Sequence, residues 1–130
     1  MSKKAKSLPN WLKEPEEHDY PAAKSYLSLL LTDSEVLKLL ERFDGAATAY
    51  FKAKDILRAS RLELLDPSNK HVAKDLEKIE QDKKLSPVLL VRGNLKNDVP
   101  MTVADGYHRV CASYWTDENT DIPCKIVDLL

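Results

Sequence analysis

The stretch Val103-Ala104-Asp105-Gly106-Tyr107-His108-Arg109-Val110-Cys111-Ala112 gathers residue types that can do chemistry. A β-branched approach (Thr102, Val103) leads into Asp-Gly, and residues able to carry a helix follow to Tyr114 or Trp115. The pattern reads as a strand, a sharp turn needing glycine's freedom, and a helix start. His108 and Arg109 then fall in the first helical turn, where unpaired N–H groups and the helix dipole favour an anion. Cations at that end run slightly against the dipole, so an incoming phosphate or carboxylate would account for them. The competing reading has Arg109 capping a carbonyl or pairing with a nearby carboxylate. Asp105 also has two readings: a catalytic general base or metal ligand, or the aspartate of an Asp-Gly turn.

The elements that must position this corner follow from spacing. Residues 1–18 are polar, contain Pro9 and Pro15, and read as an arm pinned through Trp11. Asp19-Tyr20-Pro21 is a cap-plus-proline start for a helix to about Leu31. Thr32-Asp33-Ser34-Glu35 has the capping-box pattern, and Val36, Leu39, Leu40 and Phe43 then keep helical spacing up to Asp44-Gly45. Tyr50 to Ala53 reads as a short strand and Lys54 to Leu57 as a helical turn, with helix throughout as the alternative. Asp66-Pro67 opens a helix carrying Val72, Leu76 and Ile79 as far as Gln81. Val88 to Val91 is a buried-type strand, Gly93 to Pro100 a hairpin loop, and Met101 to Ala104 the second strand. Ile122 to Val127 is the last strand, with a proline marking an edge.

Composition narrows the function classes. The chain has 130 residues and a formal net charge of −1, with 20 Lys and Arg against 21 Asp and Glu. Non-specific DNA binding needs clustered positive charge, so DNA binding by this chain alone is not expected. No apolar run approaches the ~18–20 residues of a membrane span, and no hydrophobic region follows the basic start, so neither a membrane segment nor a signal peptide is expected. Cys111 and Cys124 show neither metal-ligand spacing nor a disulfide framework, and His18, His71 and His108 are not spaced as ligands. No metal site is expected, and a cytoplasmic setting fits.

Three segments in order, Leu85-Ser86-Pro87-Val88-Leu89-Leu90-Val91, Ala104 to Ala112 and Ile122-Pro123-Cys124-Lys125-Ile126-Val127, resemble the ParB/sulfiredoxin superfamily. Its members share a Gly-x-x-Arg turn entering a helix between such strands. The resemblance covers about residues 50–130. It implies one α+β domain over 19–130, a small mixed β-sheet flanked by helices, with the helical pair at 19–49 as a decoration outside the common core. It also implies that Gly106 lets a phosphate approach the backbone while His108 and Arg109 bind its oxygens, the ligand being ATP or CTP with Mg2+. Further positive groups would come from Arg58 or Arg61 and from His71, Lys74 and Lys78, although Lys74 and Lys78 also suit a solvated helix face. Mg2+ would look to Asp105, with Asp55 and Asp66 as weaker candidates. Sulfiredoxins carry their reactive cysteine where this chain has Tyr107, and a phenol cannot replace a thiolate, so that activity is not expected. Cys111 reads as a small buried hydrophobe. A complete partition protein is not expected either, because the chain ends at Leu130, directly after the last strand.

The expected function is therefore binding of a nucleotide or another phosphate-bearing small molecule, with phosphate transfer or hydrolysis left open. The alternative is a non-enzymatic interaction module. In that case apolar residues off the main stripes, such as Leu29 and Leu37, would form a homodimer or partner surface.

Overall fold

Val88-Leu89-Leu90-Val91 is apolar at every position because both of its faces are covered. In the computed structural model, which describes residues 7–129, these residues form β4 (Val88–Val91). The lysine-rich opening of the arm, residues 1–6, and Leu130 lie outside the described residues. Side chains of a strand alternate between faces. Accordingly Val88 and Leu90 enter one apolar cluster, and Leu89 and Val91 enter another.

The fold is α+β. The remaining strands are β1 (Asn10–Trp11), β2 (Ala49–Lys52), β3 (Lys84–Leu85), β5 (Thr102–Asp105) and β6 (Asp121–Val127). The helices are α1 (Asp19–Leu27), α2 (Asp33–Gly45), α3 (Ala53–Ser60), α4 (Lys70–Glu80) and α5 (Tyr107–Thr116). A four-stranded mixed sheet runs in the order β2-β6-β4-β5, with β4 and β6 parallel and both outer pairings antiparallel. β1 and β3 form a separate parallel pair, and Trp11 packs on the larger apolar cluster, so the arm is pinned there.

A helical layer covers each face. Ile56 and Leu57 of α3, Val72 and Ile79 of α4, and Val110 to Ala112 of α5 pack with Val88, Leu90, Ile122 and Cys124. On the other face Ala23 and Leu27 of α1 and Val36, Leu39 and Phe43 of α2 pack with Leu89, Val91, Ala104 and Val127. The helical pair thus covers apolar sheet surface that would otherwise meet water. The same face holds a lysine. Lys125 is 1% exposed, and its Nζ lies 2.8 Å from Glu14 Oε1 of the arm and donates to the carbonyl of Asp44 at 3.4 Å.

Local chemistry explains the element ends, and four of them differ from expectation. The Thr32–Glu35 capping box forms as expected. Asp19 does not cap α1: it lies inside the first turn, and its Oδ2 accepts from the backbone N–H of Glu16. α1 also stops at Leu27 rather than Leu31. There the Ser28 hydroxyl donates back to the Lys24 carbonyl, and Leu29 and Leu30 switch to three-residue hydrogen bonds. Asp66 caps only a turn, accepting from Ser68 N–H, while Asn69 accepts from His71 and Val72 N–H and starts α4. Pro123 is the third residue of β6 rather than at the strand's beginning, and β6 is a central strand; the proline is tolerated because the ladder to β4 begins one residue later, at Cys124. The strand-then-helix reading of 50–57 is what forms: Ala53 N–H still bonds to Thr120 in the β2–β6 register, and Lys54 N–H then leaves it for the Glu118 carbonyl as the chain turns into α3.

Phe43 is fully buried where α2 meets the sheet. Phe43→Ala should cost about 3–5 kcal/mol. Because the helical pair shares one packed face with the sheet, the loss should show as a single urea transition with coincident circular dichroism and tryptophan signals. A separate early transition would mean that α1 and α2 are an independent unit.

Candidate functional site

Gly106 makes the corner possible. Its φ of 112° lies in the left-handed region, and a Cβ there would stand 2.8 Å from Val88 Cγ2 and 3.0 Å from Arg109 Nη2. β5 therefore turns abruptly into α5 over the first residue of β4. The N-terminus of α5 has no capping side chain and no acidic residue in its first turn. Its initial N–H groups have no intrahelical acceptor, which leaves this end electropositive.

Arg109 folds back into the corner. Its Nη2 donates to Asp105 Oδ2 at 2.9 Å and to the Pro87 carbonyl at 3.1 Å. The two side chains are only 16% and 15% exposed. Arg109 Nε is buried without a hydrogen-bond partner among the described residues. Asp105 in turn hydrogen-bonds the side chain of Asp19, which is 2% exposed. Burial raises the Asp105 pKa, Arg109 opposes that rise, and Asp19 adds to it, so Asp105 holds a proton more readily than an isolated aspartate. Of the two readings of Arg109, pairing with a nearby carboxylate is the one its geometry satisfies.

The histidines face outward. Side chains of α5 hold the loop that precedes α4: the Tyr107 hydroxyl donates to the Glu63 carbonyl at 2.5 Å, Trp115 Nε1 donates to the Leu65 carbonyl at 2.8 Å, and Cys111 bonds to the Leu65 backbone. That loop leads into α4, and the docking of α4 on α5 places the rings of His71 and His108 4.7 Å apart. The Tyr107 ring lies beside His108, tilted, with ring centres 5.6 Å apart. Asp75, one turn beyond His71, interacts with both histidines and with Arg109. Burial lowers the His108 pKa below 6.5, and His71 and Arg109 lower it further while Asp75 opposes them. Two imidazoles so close resist double protonation unless an anion lies beside them.

The structure thus brings together Asp105, Gly106, His108, Arg109 and His71, with Lys74 exposed one turn along α4 from His71. It does not bring Arg58 and Arg61 to this corner. They line a different cavity with Arg92, Gly93 and Met101, near the other end of the β4–β5 pair. Asp55 pairs with Arg58, and Asp66 is occupied by its turn. Among the described residues, no group of three or more histidine, cysteine or acidic side chains could hold a metal ion. Cys111 is fully buried and its pKa is raised by burial, while burial pushes the Cys124 thiol up to about 12; neither has the character of a nucleophile. Sequence reasoning missed Asp75 and Asp19. Asp75 had a signal, its i,i+4 spacing from His71 on one helix face; the partnership of Asp19 with Asp105 had none.

Asp75 gives the site a pH signature. Its pKa is raised above the ordinary 3.8, chiefly by burial, against the pull of Arg109, Lys78, His108 and His71. A raised folded-state pKa contributes stability that is complete below the unfolded value and is lost as pH climbs through the folded value. Asp75→Asn should therefore gain stability relative to the parent as pH rises above 3.8, and urea titrations at about pH 4 and about pH 7 check this. An advantage that shrinks with rising pH would contradict it. No protein-family model, curated protein or solved structure matches the chain.

Proposed function

We propose that the start of α5 binds a phosphate-bearing small molecule. A nucleotide such as ATP or CTP is the class implied by the ParB/sulfiredoxin resemblance. The observation that carries this reading is the pairing of the His71 and His108 rings beside a helix N-terminus without a capping side chain or first-turn acid. Backbone N–H groups after Gly106 would receive phosphate oxygens, and the two imidazolium groups would complete the cradle. Lys74, exposed one turn along α4 from His71, would add a positive charge at the rim. Arg109 contributes field and shape from within, since its Nη2 is already engaged. Mg2+ would enter with the nucleotide, held mainly by ligand phosphates and water. Should the bound phosphate react, Asp75 is the carboxyl that interacts with both histidines and is placed to move a proton, ahead of Asp105, which Arg109 and Asp19 occupy. Two free, buried cysteines suit a reducing, cytoplasmic setting. Among the described residues, no helix is long and apolar enough to cross a membrane.

ATP, CTP and inorganic phosphate, each with and without Mg2+, should raise the melting temperature. The affinity should increase as pH falls through and below 6.5, where His108 gains its proton. His71→Ala and His108→Ala should each weaken binding roughly tenfold, the scale of one hydrogen bond to a charged group. An absence of stabilisation by every phosphate compound, or shifts indifferent to both substitutions, would remove this reading.

A second reading rests on Leu29 and Leu30 in the turn after α1 and Leu37 on α2, which are 82%, 55% and 53% exposed. Such a patch suits self-association through the helical pair. Size-exclusion chromatography should then give a dimer that Leu29→Lys and Leu37→Lys convert to monomer; a monomeric parent protein ends this alternative.

A further inference from the structure

We infer that the arginine-rimmed cavity between α3 and the β4–β5 hairpin loop is a second ligand site, separate from the α5 corner, for a small organic acid with one carboxylate on an apolar body. The cavity has a volume of about 430 Å3, within the ~300–1,000 Å3 typical of small-molecule sites. Its walls are apolar: Phe51 and Ile56 on one side, Met101 and Ile126 on the other. Leu95 and Val99 of the hairpin loop stand at its mouth 93% and 51% exposed, so apolar surface continues outward from the interior. A flat or branched hydrocarbon body would cover that surface.

The mouth is constructed, not incidental. Gly93 lines it, and a Cβ there would run into Val99 O and stand 2.6 Å from the Pro100 carbonyl carbon, so the loop closes this tightly only on glycine. Arg61 and Asp98 both hold left-handed backbone, at φ 58° and 56°, and form an ion pair with each other. Met101 N–H donates to the Ala59 carbonyl at 3.0 Å, joining the loop to the end of α3. Arg61 ends α3 and Asp98 ends the short turn of the loop, so this ion pair and the Met101–Ala59 bond fix the loop against the helix beside the cavity.

The rim sets the ligand's head group. Arg58, Arg61 and Arg92 are each met by one aspartate: Asp55, Asp98 and Asp128. Those carboxylates are 50%, 84% and 65% exposed, and exposed pairs of this kind are individually weak. Each pair is made through a single N–O contact, so a ligand carboxylate can exchange for an aspartate on one guanidinium and use both prongs of the fork, without stranding a charge. The apolar walls supply the attraction and the exchanged ion pair fixes orientation.

Isothermal titration and amide NMR with 4-phenylbutyrate, and with its neutral amide as control, test this. The acid should bind, shifting the amides of Gly93, Leu95 and Met101, and the neutral amide should bind roughly tenfold more weakly. Arg61→Gln and Arg92→Gln should weaken the acid and leave the neutral amide unchanged. Ala59→Trp, at an exposed position on the cavity wall, should block both compounds, and His108→Ala should block neither, which separates this site from the phosphate site. Equal binding of acid and amide, shifts confined to other parts of the chain, or full binding by Ala59→Trp would overturn the assignment. If Ala59→Trp fails to fold, the two arginine variants decide the matter.

Discussion

A single guanidinium joins three parts of the chain that are distant in sequence. Arg109 reaches from α5 to the carbonyl of Pro87 ahead of β4 and to Asp105 at the end of β5, and Asp105 passes the connection to Asp19 on α1. The helical layers on the two faces of the sheet are thereby linked around its end through hydrogen bonds as well as through apolar packing. Removing one partner of such a buried pair leaves the other uncompensated, which typically costs about 3–5 kcal/mol. Gly106 belongs to the same constraint, because any larger residue would occupy the space into which Arg109 folds. The geometry of the corner follows from this knot, and the work of meeting a ligand falls to the side chains that the knot leaves facing outward, His71 and His108.

Two ends of one short strand pair carry two different kinds of opening. At the Gly106 end the groups are imidazoles, a half-buried aspartate and the start of a helix, a polar setting suited to a small, highly charged guest. At the Gly93 end the walls are hydrocarbon and the charges stand on the rim. The sheet supplies a rigid frame for both, since β4 is buried on each face and cannot shift without disturbing both apolar clusters.

Much of the frame was legible in the sequence. The unbroken apolar run at 88–91, the Thr-x-x-Glu box at 32–35 and the Asp-Gly corner at 105–106 are local signals, and each formed where local chemistry puts it. The misreadings arose where a side chain with a local use found a distant one. Asp19 and Asp66 look like helix caps, yet the first is taken by Asp105 and Glu16 and the second by a turn that Asn69 then follows. Pro123 looks like an edge residue, and only the register against β4 shows why a central strand tolerates it. Arg58 and Arg61 were grouped with the phosphate corner by the resemblance. Their place beside Gly93 depends on where the hairpin loop meets α3, a long-range fact that spacing does not encode.

The segment ahead of α1 buries little of its own, yet Glu14 within it, itself largely exposed, is the carboxylate that meets the buried Lys125. A protein shortened to the first turn of α1 would lose the packing of Trp11 and would also leave the buried Lys125 with one long carbonyl contact as compensation. Proteolytic clipping or a bulky fusion before residue 19 would therefore act at a distance on the strand at the centre of the molecule.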